Sequence, residues 1–219
     1  FIIIILLQLT KEVKMIVGSW QYKISNDRAM SGYNIVSKYA EKYGAIGTSI
    51  ATHQGADTSV YNIDIGYNNY QHFGEMDDSW STDSEFGSEM EAYFGMSEHV
   101  RMNFYEPLMH EMPFNGVKSC FAIWKFSHPN RELVLKESET FFKYWMDNGS
   151  TGCTVGTLSG ADFGQYAFGA RFNNMADYGK AADKLNGDKV WDNHQEMLSS
   201  TIWDGFNLRR VLAENGWKE

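Results

Sequence analysis

The chain has 219 residues, of which 43% are apolar and 15% aromatic with only three prolines; this excludes a disordered or Pro-rich linker protein and allows a sizeable core. A formal charge of −9 and a pI near 5.1, with no cluster of five or more Lys/Arg, leave nothing to neutralise phosphates, so neither nucleic acid nor an anionic membrane is an expected partner. Two cysteines, Cys120 and Cys153, fit no metal or CxxC spacing and read as free thiols of a reducing, cytoplasmic compartment.

Phe1 to Leu9 is an apolar run too short to span a bilayer, and KEVKM follows it instead of a small-residue cleavage site. The natural start is therefore expected at Met15, with residues 1–14 a disordered or non-native leader. Ile16 to Ile24 is β-branched and aromatic and predicts a strand. From Arg28 to Tyr43 the apolar residues Tyr33, Val36, Tyr39, Ala40 and Tyr43 recur at three and four, and Gly44 supplies the left-handed position that ends a helix. Thr48 to His53 and Val60 to Tyr67 predict a hairpin, whose Val60, Asn62 and Asp64 alternate with Tyr61, Ile63 and Ile65 to give one wet face and one buried face. Asn68 and Asn69 cap a short helix, Phe86 to Phe94 continues helically, and His99 to Tyr105 closes the unit as a strand. Pro107 to Gly116 reads as a linker.

The same order then recurs: a strand over Ser119 to Phe126, an Asn130-capped helix ending at Asn148-Gly149, a hairpin around Gly160-Ala161-Asp162, a helix capped at Asn173 or Asn174, a helix over Lys189 to Leu198, and a strand over Ile202 to Leu208. The residues themselves also recur. Aligned without a gap from Gly47/Gly152 to Gly74/Gly179, the two stretches share Thr52/Thr157, Gly55/Gly160, Ala56/Ala161, Asp57/Asp162, Tyr61/Tyr166 and the Asn68-Asn69/Asn173-Asn174 pair. A period of this length is domain-sized. The reading is α+β: two tandem ferredoxin-like βαββαβ units, 15–113 and 114–219. Helices would cover one face of each antiparallel sheet, and the other, apolar face of each would be covered by its twin in a barrel closed within one chain. Any further dimerisation would then use other surfaces. In such a unit the strand order is 4-1-3-2, so Cys120 and Cys153 are separated by a strand, about twice the ~4.8 Å spacing and beyond the ~7 Å reach of a disulfide.

NNMADYGKAADKL at Asn173 to Leu185, followed by Asp188 to Gln195, resembles the dimeric α+β barrel superfamily, which includes antibiotic-biosynthesis monooxygenases and NIPSNAP-like proteins. The match spans Gly149 to Leu198 and, more loosely, Gly44 to Phe94. The resemblance implies a pseudo-dimer on one chain. Members range from cofactor-free monooxygenases and haem-degrading enzymes to proteins without known activity, and no catalytic motif transfers residue by residue.

Trp20 and Trp124 hold matching places in the first strand of each unit and offer flat walls to a planar ligand, set against the plainer role of core filling. His53 has Leu158 as its counterpart in the repeat, so one unit alone carries an ionisable group there; burial would lower its pKa and suit it as a base or an axial haem ligand, set against a satisfied strand histidine. Tyr61 and Tyr166 recur and suggest shared packing. Asp57 and Asp162 each lie in a Gly-Ala-Asp turn and read as backbone-bonding turn residues. The remaining histidines form no HExxH or i,i+4 pair, so no metal site is expected. Two readings stay open. One is an enzyme of the cofactor-free or haem-dependent monooxygenase type, acting on a small hydrophobic or aromatic molecule in a first-unit pocket of Trp20, His53 and Tyr61. The other is a non-catalytic barrel that binds such a ligand or a protein.

Overall fold

The computed structural model describes residues 15–54, 59–95, 97–111, 119–187 and 189–217. The expected leader 1–14 and the Gly55-Ala56-Asp57 turn lie outside the described residues. Eight strands and six helices follow in the order β1 (Ile16–Lys23), α1 (Asn26–Lys42), β2 (Gly47–Gln54), β3 (Val60–Tyr67), α2 (Tyr70–Thr82), α3 (Ser84–Phe94), β4 (Glu98–Glu111), β5 (Cys120–Ser127), α4 (Arg131–Asp147), β6 (Gly152–Gly160), β7 (Tyr166–Phe172), α5 (Met175–Gly187), α6 (Gln195–Ser200) and β8 (Ile202–Asn215). A short 3-10 turn, Lys189–His194, precedes α6 and replaces the first part of the helix expected over Lys189 to Leu198.

Local signals account for most boundaries. Gly44 and Gly149 adopt φ of 85° and 98° just past α1 and α4, the left-handed conformation in which glycine carries no Cβ penalty. The side-chain oxygens of Asn69 and Asn130 accept from the backbone N–H of His72 and Leu133, capping α2 and α4. Along α1 the buried Ala29, Tyr33, Val36 and Ala40 lie on one stripe, and they pack on Ile50, Ile63 and Ile65 of the sheet. In the second half Val134, Phe141, Phe142 and Trp145 of α4 do the same on Val155, Phe168 and Phe172.

The strands form one closed antiparallel barrel in the order β1-β3-β2-β8-β5-β7-β6-β4. Each half contributes its strands in the 4-1-3-2 order, and the two halves join at both edges through β2–β8 and β4–β6. All eight strands come from this chain. The joins depend on two strands longer than the sequence suggested. The early part of β4 pairs with β1, ending at Val17↔Tyr105, and its later part, Asn103 to Glu111, pairs with β6. Likewise β8 pairs first with β5 and then, over Leu208 to Asn215, with β2. Pro107 therefore does not begin a linker. It sits at a register shift inside β4, a position where a strand tolerates the missing N–H. Residues 112–118 lie outside the described ones.

The inside of the barrel departs from the apolar face expected of it. Asn62 is fully buried, and Asn103 and Arg171 nearly so, with ion pairs crossing the interior, so the "wet" face of the hairpin is enclosed by the second half instead of being solvated. Edge hydrogen bonds along β2–β8 and β4–β6 and the buried Arg209–Asp64 pair join the halves, together with apolar contacts of Leu108, Met109, Leu212 and Ala213 on the opposite half's core.

Cys120 on β5 and Cys153 on β6 flank β7; both are unpaired and wholly buried. Burial pushes the Cys120 thiol up to about 11 and the Cys153 thiol up to about 12. Thiol titration without reductant should give two thiols after denaturation and a slow reaction before it. A fast reaction in the folded protein would contradict this burial.

Candidate functional site

Strand alternation sends one set of side chains toward the helices and the other into the barrel. Trp20 and Trp124 belong to the helix-facing set. Trp20 meets Tyr67 and Phe104 edge-on at 6.4 and 6.3 Å, and Trp124 lies tilted against Trp145 at 5.1 Å and Phe206 at 5.3 Å. Each lines a cavity between sheet and helices, of about 190 Å³ in the first half and about 250 Å³ in the second. Tyr61 also faces the helices, where its hydroxyl donates to Asn26 Oδ1 at 2.7 Å, and Tyr166 stacks on Phe126 at 5.5 Å. Neither tyrosine lines these cavities. His53 lies on the opposite, interior face: its Nε2 donates to Asn62 Oδ1, and Asn62 Nδ2 donates in turn to Ser19 Oγ at 2.8 Å. Trp20 and Tyr61 are thus separated by the sheet from His53, and the expected trio does not converge. Leu158, the counterpart of His53, lines the barrel interior.

The two helix-side cavities differ in chemistry. The first carries Tyr22, Tyr67 and Asp77 beside Trp20, Phe73 and Trp80, and Trp80 Nε1 is buried without a partner among the described residues. Burial, with a further contribution from the Asp77 charge, pushes the Tyr67 phenol far above its ordinary range. The second is walled by Trp124, Phe126, Phe141, Trp145, Phe168, Met197 and Trp203, with one polar residue, Ser138, whose Oγ donates to the Val134 carbonyl at 2.7 Å. Half-exposed Trp203 and partly buried Trp124 are the wall residues that reach solvent. Behind this wall the ring of buried His194 packs on Phe141 at 4.6 Å, with Nδ1 hydrogen-bonded to Glu137. Sequence reading set His194 aside because its partner lies on a different helix, with no local spacing to reveal the pair.

The barrel interior holds a third cavity of about 350 Å³. Its wall includes four cationic side chains, Arg101, Lys125, Arg171 and Arg209, and four carboxylates, Asp64, Asp162, Asp204 and Glu214, around an apolar belt of Val17, Phe121, Ile123, Leu158 and Val211. Asp162 accepts from Arg101 at 3.0 and 3.1 Å, from Lys125 at 2.9 Å and from Asn103 at 2.9 Å, while its own N–H donates to Asn103 Oδ1 at 2.8 Å. This corrects the reading of Asp162 as a turn residue alone: its carboxylate joins β4 of the first half to β5 of the second. Arg171 pairs with Glu214 at 2.6 Å, whereas Arg209 and Asp64 stand 3.8 Å apart. Tyr105, whose phenol is raised strongly by burial, is hydrogen-bonded to Thr154 at 2.6 Å.

One end of this interior is closed by Trp217. Gly47 and Gly66 are cross-strand partners, and a Cβ on either would stand 2.6 or 2.7 Å from Trp217, so two glycines in register make the seat for that indole.

Neither helix-side cavity has a histidine or cysteine in its wall, so no described residue there supplies an axial imidazole or thiolate to a haem iron, and His53 is engaged with Asn62 on the other face. These two walls thus offer a haem iron neither imidazole nor thiolate, while His110 lines the barrel interior, and no step through haem is derived. Among the described residues no cluster of three or more His, Cys, Asp or Glu is placed to hold a metal ion. No helix is long and apolar enough to cross a membrane among those residues.

No family model matches the sequence, and no curated protein matches it. Solved structures do match the fold. A candidate monooxygenase from Fusobacterium nucleatum is 15% identical with a TM-score of 0.58, covering 93% of this chain and 95% of its own. An anthrone oxidase-like protein is 9% identical with a TM-score of 0.62 over 95% of each chain. A heme-binding protein from Thermus thermophilus is 9% identical with a TM-score of 0.54, covering 91% of this chain and 92% of its own. At these identities the likeness is one of fold: the chain is a ferredoxin-like dimeric α+β barrel completed by a single polypeptide.

Proposed function

We propose that the chain is a monooxygenase-like barrel that takes a small planar aromatic molecule into the second half's helix-side cavity. The observation that carries this reading is the wall itself, with Trp124, Trp145 and Phe168 offering ring faces and no charged group among the described lining residues. Such a surface stacks a flat apolar ring and rejects a charged one, since a desolvated charge there would find no partner. At about 250 Å³ the cavity suits a small ligand, below the usual range for drug-sized ones.

With no base in its wall, the cavity suits a substrate that brings its own reactivity. A methylene flanked by two aromatic rings is such a group. Its oxidation by dioxygen, CH2 + O2 → C=O + H2O, balances without an added reductant, and the anthrone oxidase-like fold neighbour supports this class. The non-catalytic reading is favoured by the same lack of a base, and the two separate in one experiment. Anthrone in aerated buffer should quench tryptophan fluorescence and be consumed with stoichiometric oxygen uptake. Trp124→Leu should weaken binding by about tenfold, the loss of a ring contact plus its buried area. Quenching without oxygen uptake would leave a binding barrel, and no quenching would remove the aromatic site.

A further inference from the structure

The geometry points to a second ligand site inside the barrel, separate from the helix-side cavity, that takes a small zwitterion with an apolar body, the chemistry of an α-amino acid with an aromatic or branched side chain. Four cations, four carboxylates and His110 line the same cavity, so it offers charge of both signs in nearly equal number. Charge of both signs is nevertheless incompletely paired. Among the described residues Arg209 has only Asp64 as an ion-pair partner, at 3.8 Å, although its side chain is 11% exposed. Its Nε, Asp64 Oδ1 and Glu214 Oε2 are buried with no hydrogen-bond partner among the described residues. A guanidinium carries five donors, and a buried charge held by one loose contact is costly.

Each simpler ligand fails on this wall. A carboxylate that drew Arg209 to itself would strand Asp64, and an ammonium that drew Asp64 would strand Arg209. A neutral apolar molecule would fill the belt of Val17, Phe121, Ile123 and Leu158 while taking the remaining water from both ions. A carboxylate and an ammonium on one carbon satisfy the two ions together, with Arg209 gripping the carboxylate in its planar fork and Asp64 or Glu214 accepting from the ammonium. The belt beside them then covers the side chain. This assignment does not rest on the proposed function, because Arg209, Asp64 and Glu214 line the barrel interior and none of them lines the helix-side cavity.

The test is equilibrium dialysis of the full chain against L-phenylalanine, N-acetylphenylalanine, phenethylamine and N-acetylphenylalaninamide, which carry both charges, the negative alone, the positive alone and neither. L-Phenylalanine should bind at least about tenfold more tightly than the other three, each of which loses a charge-assisted contact. Arg209→Gln and Asp64→Asn should each weaken it by a similar factor. If either single variant fails to fold, the double variant Arg209→Gln/Asp64→Asn removes both charges at once and the probe series on the unaltered chain still decides. Equal binding of all four probes, binding of none at millimolar concentration, or undiminished L-phenylalanine binding in folded Arg209→Gln overturns the assignment.

Discussion

Asp162→Ala should lower the stability of the whole chain by about 3–5 kcal/mol, a large fraction of the roughly 5–15 kcal/mol that holds a typical domain. The Asp162 side chain is 8% exposed and serves two cations, Arg101 and Lys125, of which Lys125 is 15% exposed. Removing the carboxylate strands the Lys125 ammonium with little water beside Arg101, whose side chain is 39% exposed, and the energetic damage comes from the stranded Lys125 charge more than from the lost attraction. The effect should be global, because β4 and β5 belong to different halves and Asp162 sits at the turn between β6 and β7. Asp162→Asn should cost less, keeping the contact to Asn103 while losing the charge. Burial by itself would raise this carboxyl, but the hydrogen bond and charge of Lys125, the charge of Arg101 and the bond from Asn103 outweigh it and hold it below the ordinary range. A carboxyl depressed by folding contributes fully above its unfolded value near pH 4 and loses that contribution as pH falls through the folded value. Urea melts at pH 7 and pH 3 check this: the gap between the wild-type chain and Asp162→Asn should be wide at the first and narrow at the second. An equal gap at both would mean that the carboxylate's charge carries no stability.

The distance between sequence and structure can be located at particular residues. Helix stripes, the asparagine caps and the glycine stops at Gly44 and Gly149 are local signals, and each stands where its period or its φ requirement placed it. The lengths of β4 and β8 were not legible, because what extends them is non-local. Past Tyr105 and Arg210 these strands leave their own sheets and pair with the other half alone, while Pro107 and the Arg209-Arg210 pair look locally like strand endings. The candidate site failed for a related reason. Period-two alternation tells which residues share a face within one strand, so it separates His53 from Tyr61 only once the register across the hairpin, Thr52 opposite Tyr61, is fixed. Trp20 and Trp124 were legible as flat residues of matching strands. The ionic lining of the interior was not, since each of its pairs joins residues dozens of positions apart, and alternation alone makes an enclosed polar face look the same as a solvated one.

The first half expressed alone, residues 15–113, should be a dimer or an aggregate and not a folded monomer. In the whole chain the β4 segment beyond Tyr105 has no partner in its own half; it pairs with β6, and β2 is paired on its outer side by β8. Without the second half both edges would present rows of unpaired N–H and C=O groups, the template on which strands of another chain add. The two joins of the barrel are related in pattern, since each uses the later part of a half's last strand against the other half's second strand. A second copy of the first half can therefore place its β4 on β2 of its twin, and the reverse, closing eight strands from two chains as a self-complementary pair. It would lack the Arg101–Asp162, Lys125–Asp162 and Arg209–Asp64 pairs of the whole chain, so the expected dimer should melt well below the intact protein. Sedimentation velocity together with thermal unfolding decides the matter. A species of monomer mass that unfolds cooperatively would show that one sheet is sufficient without its edges covered, and the account of the barrel as held by its two inter-half strand pairings would be wrong.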